Sequence, residues 1–233
     1  KIRSKPLNIY LNPNAENVVP INYLESNFPL STSKVCKKIK VGHRNIFDEV
    51  EYIESIIKEN KDIKLRLDFN ESYDLPQAIR LCKMIEEYPI DYLEQPLDKN
   101  NLEDLSELRF HTDIPIALDE SVSDIESVCK IIENQAADVL VIKPMISGGF
   151  RETKKIIDMA KSEKMRFNIG SLLESGVGRR ACLHMASAYE ISEECGLSTG
   201  HLFSNDVCSF PEIINGICTI SDEIGIGEKD VAL

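Results

Sequence analysis

Short apolar, largely β-branched runs alternate along the chain with longer segments in which apolar residues recur every three to four positions. The short runs predict eight β-strands, the last only weakly: Asn17–Leu24, Val35–Val41, Ile63–Phe69, Ile90–Glu94, Ile114–Leu118, Asp138–Lys143, Met165–Gly170 and Leu197–Phe203. The longer segments predict amphipathic helices between the strands. Two of their apolar stripes are Ile46, Val50, Ile53 and Ile57, and Ala78, Leu81, Cys82 and Ile85.

This alternation of strand and helix is typical of βαβ units and a parallel sheet. Eight strands with seven connections predict an α/β protein with a TIM-type (β/α) barrel. The first connection, LESNFPLSTSK, is too short and proline-bearing for an ordinary helix, so we expect a degraded first βα unit. A doubly wound open sheet is the alternative, but the chain has neither GxGxxG after its first strand nor GxxxxGK[ST]. The barrel is predicted over residues 17–205, with 206–233 packing back as a hairpin-bearing tail.

Charged residues stand at the carboxyl ends of five predicted strands, where buried parallel strands ordinarily lead into turns. They are Lys40, Asp68, Glu94, Asp119 and Lys143, and the intervals between them are 28, 26, 25 and 24 residues. Each interval equals about one strand, one helix and two turns, so the side chains would lie at the same height. The carboxyl-terminal rim is where barrel enzymes place their active sites.

Alternation along the strands adds a direction to these positions. In Lys38-Ile39-Lys40 and in Arg66-Leu67-Asp68-Phe69-Asn70 the polar residues share one face. Because the apolar face of a barrel strand packs against the helices, the polar face is expected to point to the barrel axis.

Three carboxylates on one axis repel one another unless a cation neutralises them. Asp68, Glu94 and Asp119 are therefore predicted to hold a hard divalent cation, Mg²⁺ or alternatively Mn²⁺. A neutral lysine on one side could remove a proton next to a substrate carboxylate, while the metal and an opposite ammonium stabilise the enediolate. Each piece also has a simpler explanation: a solvated KxK edge, a helix cap at Asp119, or an exposed turn lysine at Lys143.

Composition narrows the function classes. The formal charge of −12 argues against a nucleic-acid surface, which needs clustered basic residues. No apolar run approaches the roughly 18–20 residues that span a bilayer, and the sequence shows no secretory signal. The seven cysteines contain no CxxC pair and are expected to be reduced, mostly buried thiols. These features predict a cytoplasmic protein.

The strings KIKVG, RLDFN, YLEQPL, PIALDES, VIKPMISGG and GSLLESGVGR resemble the enolase superfamily. The resemblance covers roughly residues 17–205 and points to the branch that contains muconate-lactonising enzymes, dipeptide epimerases and o-succinylbenzoate synthases. It implies that Lys40 and Lys143 are the acid/base pair and that Asp68, Glu94 and Asp119 are the metal ligands. RLDFN and SLLESGVGRRACLHMA are most similar to the o-succinylbenzoate synthases. No DxD, which dipeptide epimerases usually carry, occurs in residues 190–210.

That resemblance implies a syn dehydration of 2-succinyl-6-hydroxy-2,4-cyclohexadiene-1-carboxylate in menaquinone or phylloquinone synthesis. Lys40 would take the proton and return it to the departing hydroxyl, Lys143 would act as a cation, and Lys38 would keep Lys40 neutral. The implied substrate contacts are Arg66, Asn70, Ser147, Gly148 and Ser171. The expected partner is a small-molecule carboxylate, with no nucleic acid or membrane and with a homo-oligomer left open.

Two other functions remain open. A racemase or epimerase of N-acylamino acids or dipeptides could use the same lysines, and a barrel that lost its cap could be non-catalytic. The superfamily carries an amino-terminal capping domain of about a hundred residues, and residues 1–16 are expected to be a remnant of it.

Overall fold

A parallel, curled sheet forms the centre of the molecule in a computed structural model that describes residues 4–25, 36–59 and 62–227. Its seven strands follow one another in chain order. They are β2 (Tyr23–Leu24), β3 (Cys36–Lys40), β4 (Lys64–Asp68), β5 (Ile90–Glu94), β6 (Ile116–Leu118), β7 (Val139–Ile142) and β8 (Arg166–Ile169). The α/β architecture and the barrel-type arrangement of parallel strands are thus as predicted.

Helices connect these strands and cover the outside of the sheet. They are α2 (Ile46–Glu59), α3 (Leu75–Ile85), α4 (Leu102–Arg109), α5 (Ile125–Glu133), α6 (Phe150–Ser162) and α7 (Gly176–Ala188), and a short helix α1 (Leu7–Leu11) precedes the barrel. The α3 stripe is buried as predicted, and burying a leucine such as Leu81 stabilises the fold by about 1.5–3 kcal/mol. Asp74 and Gln77 form a capping box that begins α3.

The barrel closes through two residues rather than through a full eighth strand. Cys195 bridges to Ile21 and Gly196 bridges to Gly170, each in parallel orientation. The backbone N–H of Cys195 donates to Pro20 O at 2.8 Å, and that of Gly196 donates to Ile169 O at 2.8 Å.

The prediction of a strand at Leu197–Phe203 is wrong. Residues Gly200–Leu202 form a 3₁₀ turn. In this segment the Ser198 hydroxyl donates to the backbone oxygen of Asn22 at 2.8 Å. A side chain, rather than a strand ladder, thus bonds the segment to the start of the barrel.

The first predicted strand is divided in two. Its amino half, β1 (Val18–Pro20), leaves the barrel and pairs antiparallel with β10 (Ile217–Thr219), which also pairs with β9 (Ile213–Ile214). Its carboxyl half belongs to the barrel, where Tyr23 and Leu24 pair with β3 and Ile21 bridges to Cys195. The division falls after Pro20, whose partner in β10 is Ile217 and whose carbonyl oxygen accepts from the Cys195 N–H of the barrel.

Some predictions lie wholly or partly outside the described residues. Residues 26–35 include most of the short first connection, and 1–3 and 228–233 include the ends of both predicted terminal segments. The division into 1–16, 17–205 and 206–233 stays a prediction, although a β9–β10 hairpin does form in the last of these segments.

Candidate active site

The carboxyl ends of the strands bring the predicted charged residues to one level. Lys40 is the Cα partner of Asp68 across β3 and β4, and Asp68 is the partner of Glu94 across β4 and β5. A cavity of about 290 Å³ opens at this rim. The predicted residues that line it are Lys38, Lys40, Asp68, Asn70, Glu94, Asp119, Lys143 and Ser171.

Three lysines pair with the three carboxylates. Lys38 Nζ lies 2.7 Å from Glu94 Oε1 and 3.3 Å from Asp68 Oδ2. Lys40 Nζ lies 2.7 Å from Asp68 Oδ2, and it also donates to Asn70 Oδ1. Lys143 Nζ lies 2.6 Å from Asp119 Oδ2. Since β3 and β7 are separated by three strands of the sheet, Lys40 and Lys143 stand on opposite walls.

The surroundings of Glu94 disfavour its charged form. Its side chain is fully buried, and burial together with the charges of Asp68 and Asp119 raises its pKa to about 7, against the opposing effect of Lys38. Within the described part of the chain, Glu94 Oε2 is buried without a hydrogen-bond partner. A divalent cation would relieve both features, and an all-carboxylate donor set suits Mg²⁺.

Lys38 and Asp68 respond to the same charges in opposite ways. Burial alone would lower the pKa of Lys38, but Glu94, Asp68 and Asp119 hold it well above its usual value. Burial alone would raise the pKa of Asp68, but Lys38 and Lys40 bring it below its usual value. The surrounding carboxylates therefore favour the charged form of Lys38 beside the predicted metal position.

A second acidic group lies nearer the amino ends of the strands. Ligand atoms of Cys36, Asp91 and Glu194 fall within 4.8 Å of one another. Arg66 neutralises this group, with Nε 2.8 Å from Asp91 Oδ2 and Nη2 2.8 Å from Glu194 Oε2. Because these carboxylates already have a guanidinium partner, the rim is the better candidate for a metal site, since among the described residues Glu94 Oε2 has no partner there.

The structure does not bring Arg66 to the cavity as a substrate contact. Its side chain is completely buried, bonds Asn22 as well as the acidic group, and stacks over Tyr92 at 4.6 Å. Arg66 shares a face with Asp68 but precedes it by two residues, which places it about 6–7 Å lower in the barrel.

Two further predicted contacts lie in the loop after β7 and are not among the residues that line the cavity. Ser147 is buried, and its hydroxyl donates to Lys143 O at 3.1 Å. Gly148 is exposed, and its φ of +90° is a conformation that favours glycine. The turn of the backbone therefore explains why a glycine stands at this position.

Ser171 lines the cavity, but its hydroxyl is already fully bonded. It donates to Glu174 Oε2 and accepts from Leu173 N–H at 3.1 Å and from the Thr199 hydroxyl at 3.2 Å. A serine oxygen has one proton and two lone pairs, so this set leaves no capacity for a substrate.

Other lining residues were not among the sequence predictions. Asn22, Tyr92, Asn168 and Thr199 contribute polar atoms, and Asn168 Nδ2 donates to Tyr92 Oη at 3.2 Å. Strand alternation could have identified two of them, since Tyr92 precedes Glu94 by two residues and Asn168 follows Arg166 by two. The remaining walls are apolar: Leu24, Val141, Leu173 and Leu202.

Known proteins match most of this chain. A family model described as Enolase C-terminal domain-like matches residues 35–229. The o-succinylbenzoate synthase of Bacillus subtilis strain 168 is 30% identical over 181 residues, covering 77% of this chain and 48% of that protein. The L-Ala-D/L-Glu epimerase of the same strain is 32% identical over 170 residues, covering 72% of this chain and 45% of that protein. The chain thus spans about half the length of the curated relatives it matches.

A solved structure supports the same likeness. The substrate-liganded complex of the L-Ala-D/L-Glu epimerase from Bacillus subtilis superposes with a TM-score of 0.89 at 25% identity. The match covers 99% of this chain and 68% of the other.

Among the described residues, no helix combines the length and apolar character that crossing a membrane requires.

Proposed function

The chain belongs to the enolase C-terminal domain-like family, and on that basis we propose that it is a metal-dependent carbon–oxygen lyase of the o-succinylbenzoate synthase type. The observation that carries the proposal is the placement of two lysines on opposite walls of one cavity, with three carboxylates between them. Such a site suits removal of a weakly acidic proton beside a carboxylate.

The carboxylates Asp68, Glu94 and Asp119 would hold Mg²⁺ or Mn²⁺, which when bound supplies positive charge toward the substrate's carboxylate. The chain's own cations surround this position. Lys38 is held charged between Glu94 and Asp68, and Lys143 lies against Asp119. A substrate that enters as an anion is favoured by this arrangement.

Lys40 is the proposed base. Its side chain is about half exposed, and its nitrogen is aimed by Asp68 and Asn70 into the cavity. In its neutral form Lys40 Nζ takes the ring proton next to the carboxylate. The C–O bond then breaks, and the same nitrogen returns the proton to the departing hydroxyl, so water leaves and the ring becomes aromatic. Lys143 stays protonated on the opposite face.

The uncharged remainder of the cavity supports this substrate over a dipeptide. Among the described lining residues the carboxylates are Asp68, Glu94 and Asp119, so no further carboxylate lines the cavity to pair with a free amino group. Leu24, Leu173 and Leu202 offer apolar walls that suit a six-membered carbon ring.

A racemase or epimerase is the second candidate. Lys40 and Lys143 on opposite walls are also what a two-base reaction needs, with one lysine removing the proton and the other returning it from the opposite face. The likeness to the Bacillus subtilis epimerase supports it as well. An N-acylated substrate, which lacks a free amino group, fits the uncharged walls better than a dipeptide.

The two candidates separate in one experiment. The protein with Mg²⁺ is offered 2-succinyl-6-hydroxy-2,4-cyclohexadiene-1-carboxylate while ultraviolet absorbance follows aromatic product, and N-acylamino acids and dipeptides are offered in D₂O while NMR follows the α-proton. Aromatic product lost in Lys40→Ala is expected. Lys154→Ala on the outer face of α6 is the matched control, because Lys154 is exposed, forms a surface ion pair with Asp158 and does not line the cavity.

Aromatic product without α-proton exchange would establish the dehydratase. Exchange without aromatic product would replace it by the racemase or epimerase. A metal-binding protein inert in both assays, and unchanged by Lys40→Ala, would indicate a non-catalytic barrel.

A further inference from the structure

Gln95 follows the proposed ligand Glu94 directly and points away from the cavity, toward the loop after β6. Its side chain is completely buried. Its backbone has φ +39°, in the left-handed region that non-glycine residues seldom adopt. Strain of this kind persists only where surrounding contacts over-determine it, which directs attention to what Gln95 holds.

The side-chain amide of Gln95 is bonded on both sides to that loop. Its Oε1 accepts the backbone N–H of Asp119 and of Ser121, each at 3.1 Å. Its Nε2 donates to Leu97 O at 3.0 Å and to Ser121 Oγ at 2.9 Å. The Ser121 hydroxyl then donates onward to Lys99 O at 3.1 Å.

This arrangement uses all four hydrogen-bonding positions of a primary amide and allows one orientation only. A flipped amide would set its NH₂ group against two backbone N–H donors and leave these buried donors unsatisfied. The amide oxygen therefore fixes the backbone of Asp119 directly.

The backbone of Gln95 bonds to β6 on one side and to the loop after β4 on the other. Its N–H donates to Ala117 O at 2.8 Å on β6, and its C=O accepts from Glu71 N–H at 2.9 Å in the loop that follows Asp68. One residue is thus bonded to segments beside all three proposed ligands, Asp68, Glu94 and Asp119.

We propose that Gln95 is a positioning residue that fixes the spacing of the three metal-ligand carboxylates, an inference that rests on the metal role in the proposed function. Bonds of this kind to groups behind metal ligands typically contribute 10–100-fold to metal affinity. Gln95 touches neither metal nor substrate, and acts through the loop that carries Asp119.

The test compares Gln95→Leu, which removes every amide bond, with Gln95→Glu, which keeps an oxygen to accept from Asp119 and Ser121. Ser121→Ala is the matched control, because it alters the same buried contact but leaves both backbone bonds to Gln95 Oε1. Mn²⁺ affinity is measured by electron paramagnetic resonance, and hydrogen–deuterium exchange of the Asp119 and Ser121 amides is measured without metal.

Gln95→Leu is expected to weaken Mn²⁺ binding about 10–100-fold and to speed exchange of both amides. Ser121→Ala is expected to stay close to wild type in both readouts. Gln95→Glu keeps the acceptor for Asp119 and Ser121 but sets its second oxygen against Leu97 O, so it is expected to fall between wild type and Gln95→Leu. Wild-type Mn²⁺ affinity and amide protection in a folded Gln95→Leu variant would overturn the positioning role, as would equal losses in Ser121→Ala.

The outcome is separable from that for the proposed reaction. A protein that shows these differences in Mn²⁺ affinity and amide exchange, yet turns over neither substrate class, would retain the role of Gln95 and lose the proposed reaction. Turnover of the cyclohexadiene substrate with an unaffected Gln95→Leu variant would do the reverse. A wild-type protein that binds no Mn²⁺ would overturn both.

Discussion

The ammonium of Lys38 lies 2.7 Å from one oxygen of Glu94, while the other oxygen of that carboxylate is buried and, among the described residues, without a hydrogen-bond partner. One lysine therefore satisfies half of a fully buried carboxylate whose pKa burial raises to about 7. The remaining oxygen is the one that the proposed cation would neutralise.

Glu94→Gln is expected to abolish measurable Mn²⁺ binding, because it replaces one of three charged ligands by a weak neutral donor. Calorimetric titration of Mn²⁺ into wild type and into Glu94→Gln checks this. Glu120→Gln is the control: within the described residues Glu120 also has a buried oxygen without a hydrogen-bond partner, but it does not line the cavity. If Glu120→Gln lost the metal and Glu94→Gln kept it, the ligand assignment would be wrong.

Two properties of Lys143 can be tested separately: its positive charge and its ability to transfer a proton. In the proposed dehydration it supplies only positive charge, so Lys143→Arg should retain much more activity than Lys143→Gln. In an epimerase it must accept and donate a proton, which arginine cannot do because it stays protonated, so both variants would lose about 10²–10⁴-fold in kcat. The comparison is made on kcat, and equal losses for aromatic product would contradict the one-base scheme.

The acidic group deep in the barrel should control stability at low pH. Burial alone would raise the pKa of Asp91, but Arg66 and Arg166 hold it below its usual value. A depressed carboxyl pKa stabilises the fold above the unfolded value near 3.9, and that contribution is lost as pH falls through the folded value. Urea unfolding of wild type should therefore show stability declining below about pH 4.

Asp91→Asn should destabilise the protein at neutral pH by about 1–3 kcal/mol, because it removes one carboxylate partner of the completely buried Arg66 while Glu194 still pairs with it. Asp158→Asn, which breaks only an exposed pair with Lys154, should cost no more than about 0.5 kcal/mol. Comparable losses in the two variants would show that the buried network does not stabilise the barrel.

Gly176, where α7 begins, has no room for a side chain. A Cβ there would lie 2.0 Å from the backbone oxygen of Cys208, in the segment where Asp206 accepts from the Gly176 N–H. Gly176→Ala should lower the free energy of unfolding by about 1–3 kcal/mol. Gly196→Ala is the comparison, since its Cβ would meet Gly170 at an ordinary 3.5 Å. Thermal unfolding measures both, and similar midpoints would count against this steric conflict.

The sequence alone determined the alternation of strands and helices, the apolar helix faces and the charged residues at successive strand ends. These features are local: periodicity selects the face of an element, and chain length between strand ends selects the height of a side chain. Lys40, Asp68, Glu94, Asp119 and Lys143 obey both rules, and the structure places all of them around one cavity. Their assignment as metal ligands and catalytic lysines remains a prediction.

Only the tertiary structure decided how the barrel closes, which polar residues lie deep and what holds the rim in place. Cys195 and Gly196 complete the barrel with two bridges, too few residues to leave a periodic pattern. Arg66 shares the face of Asp68, but its charge is taken by Asp91 and Glu194 from distant parts of the chain. Gln95 likewise meets Asp119 only after two strands pair. Such contacts depend on side chains far apart in sequence meeting in space, and no local pattern records them.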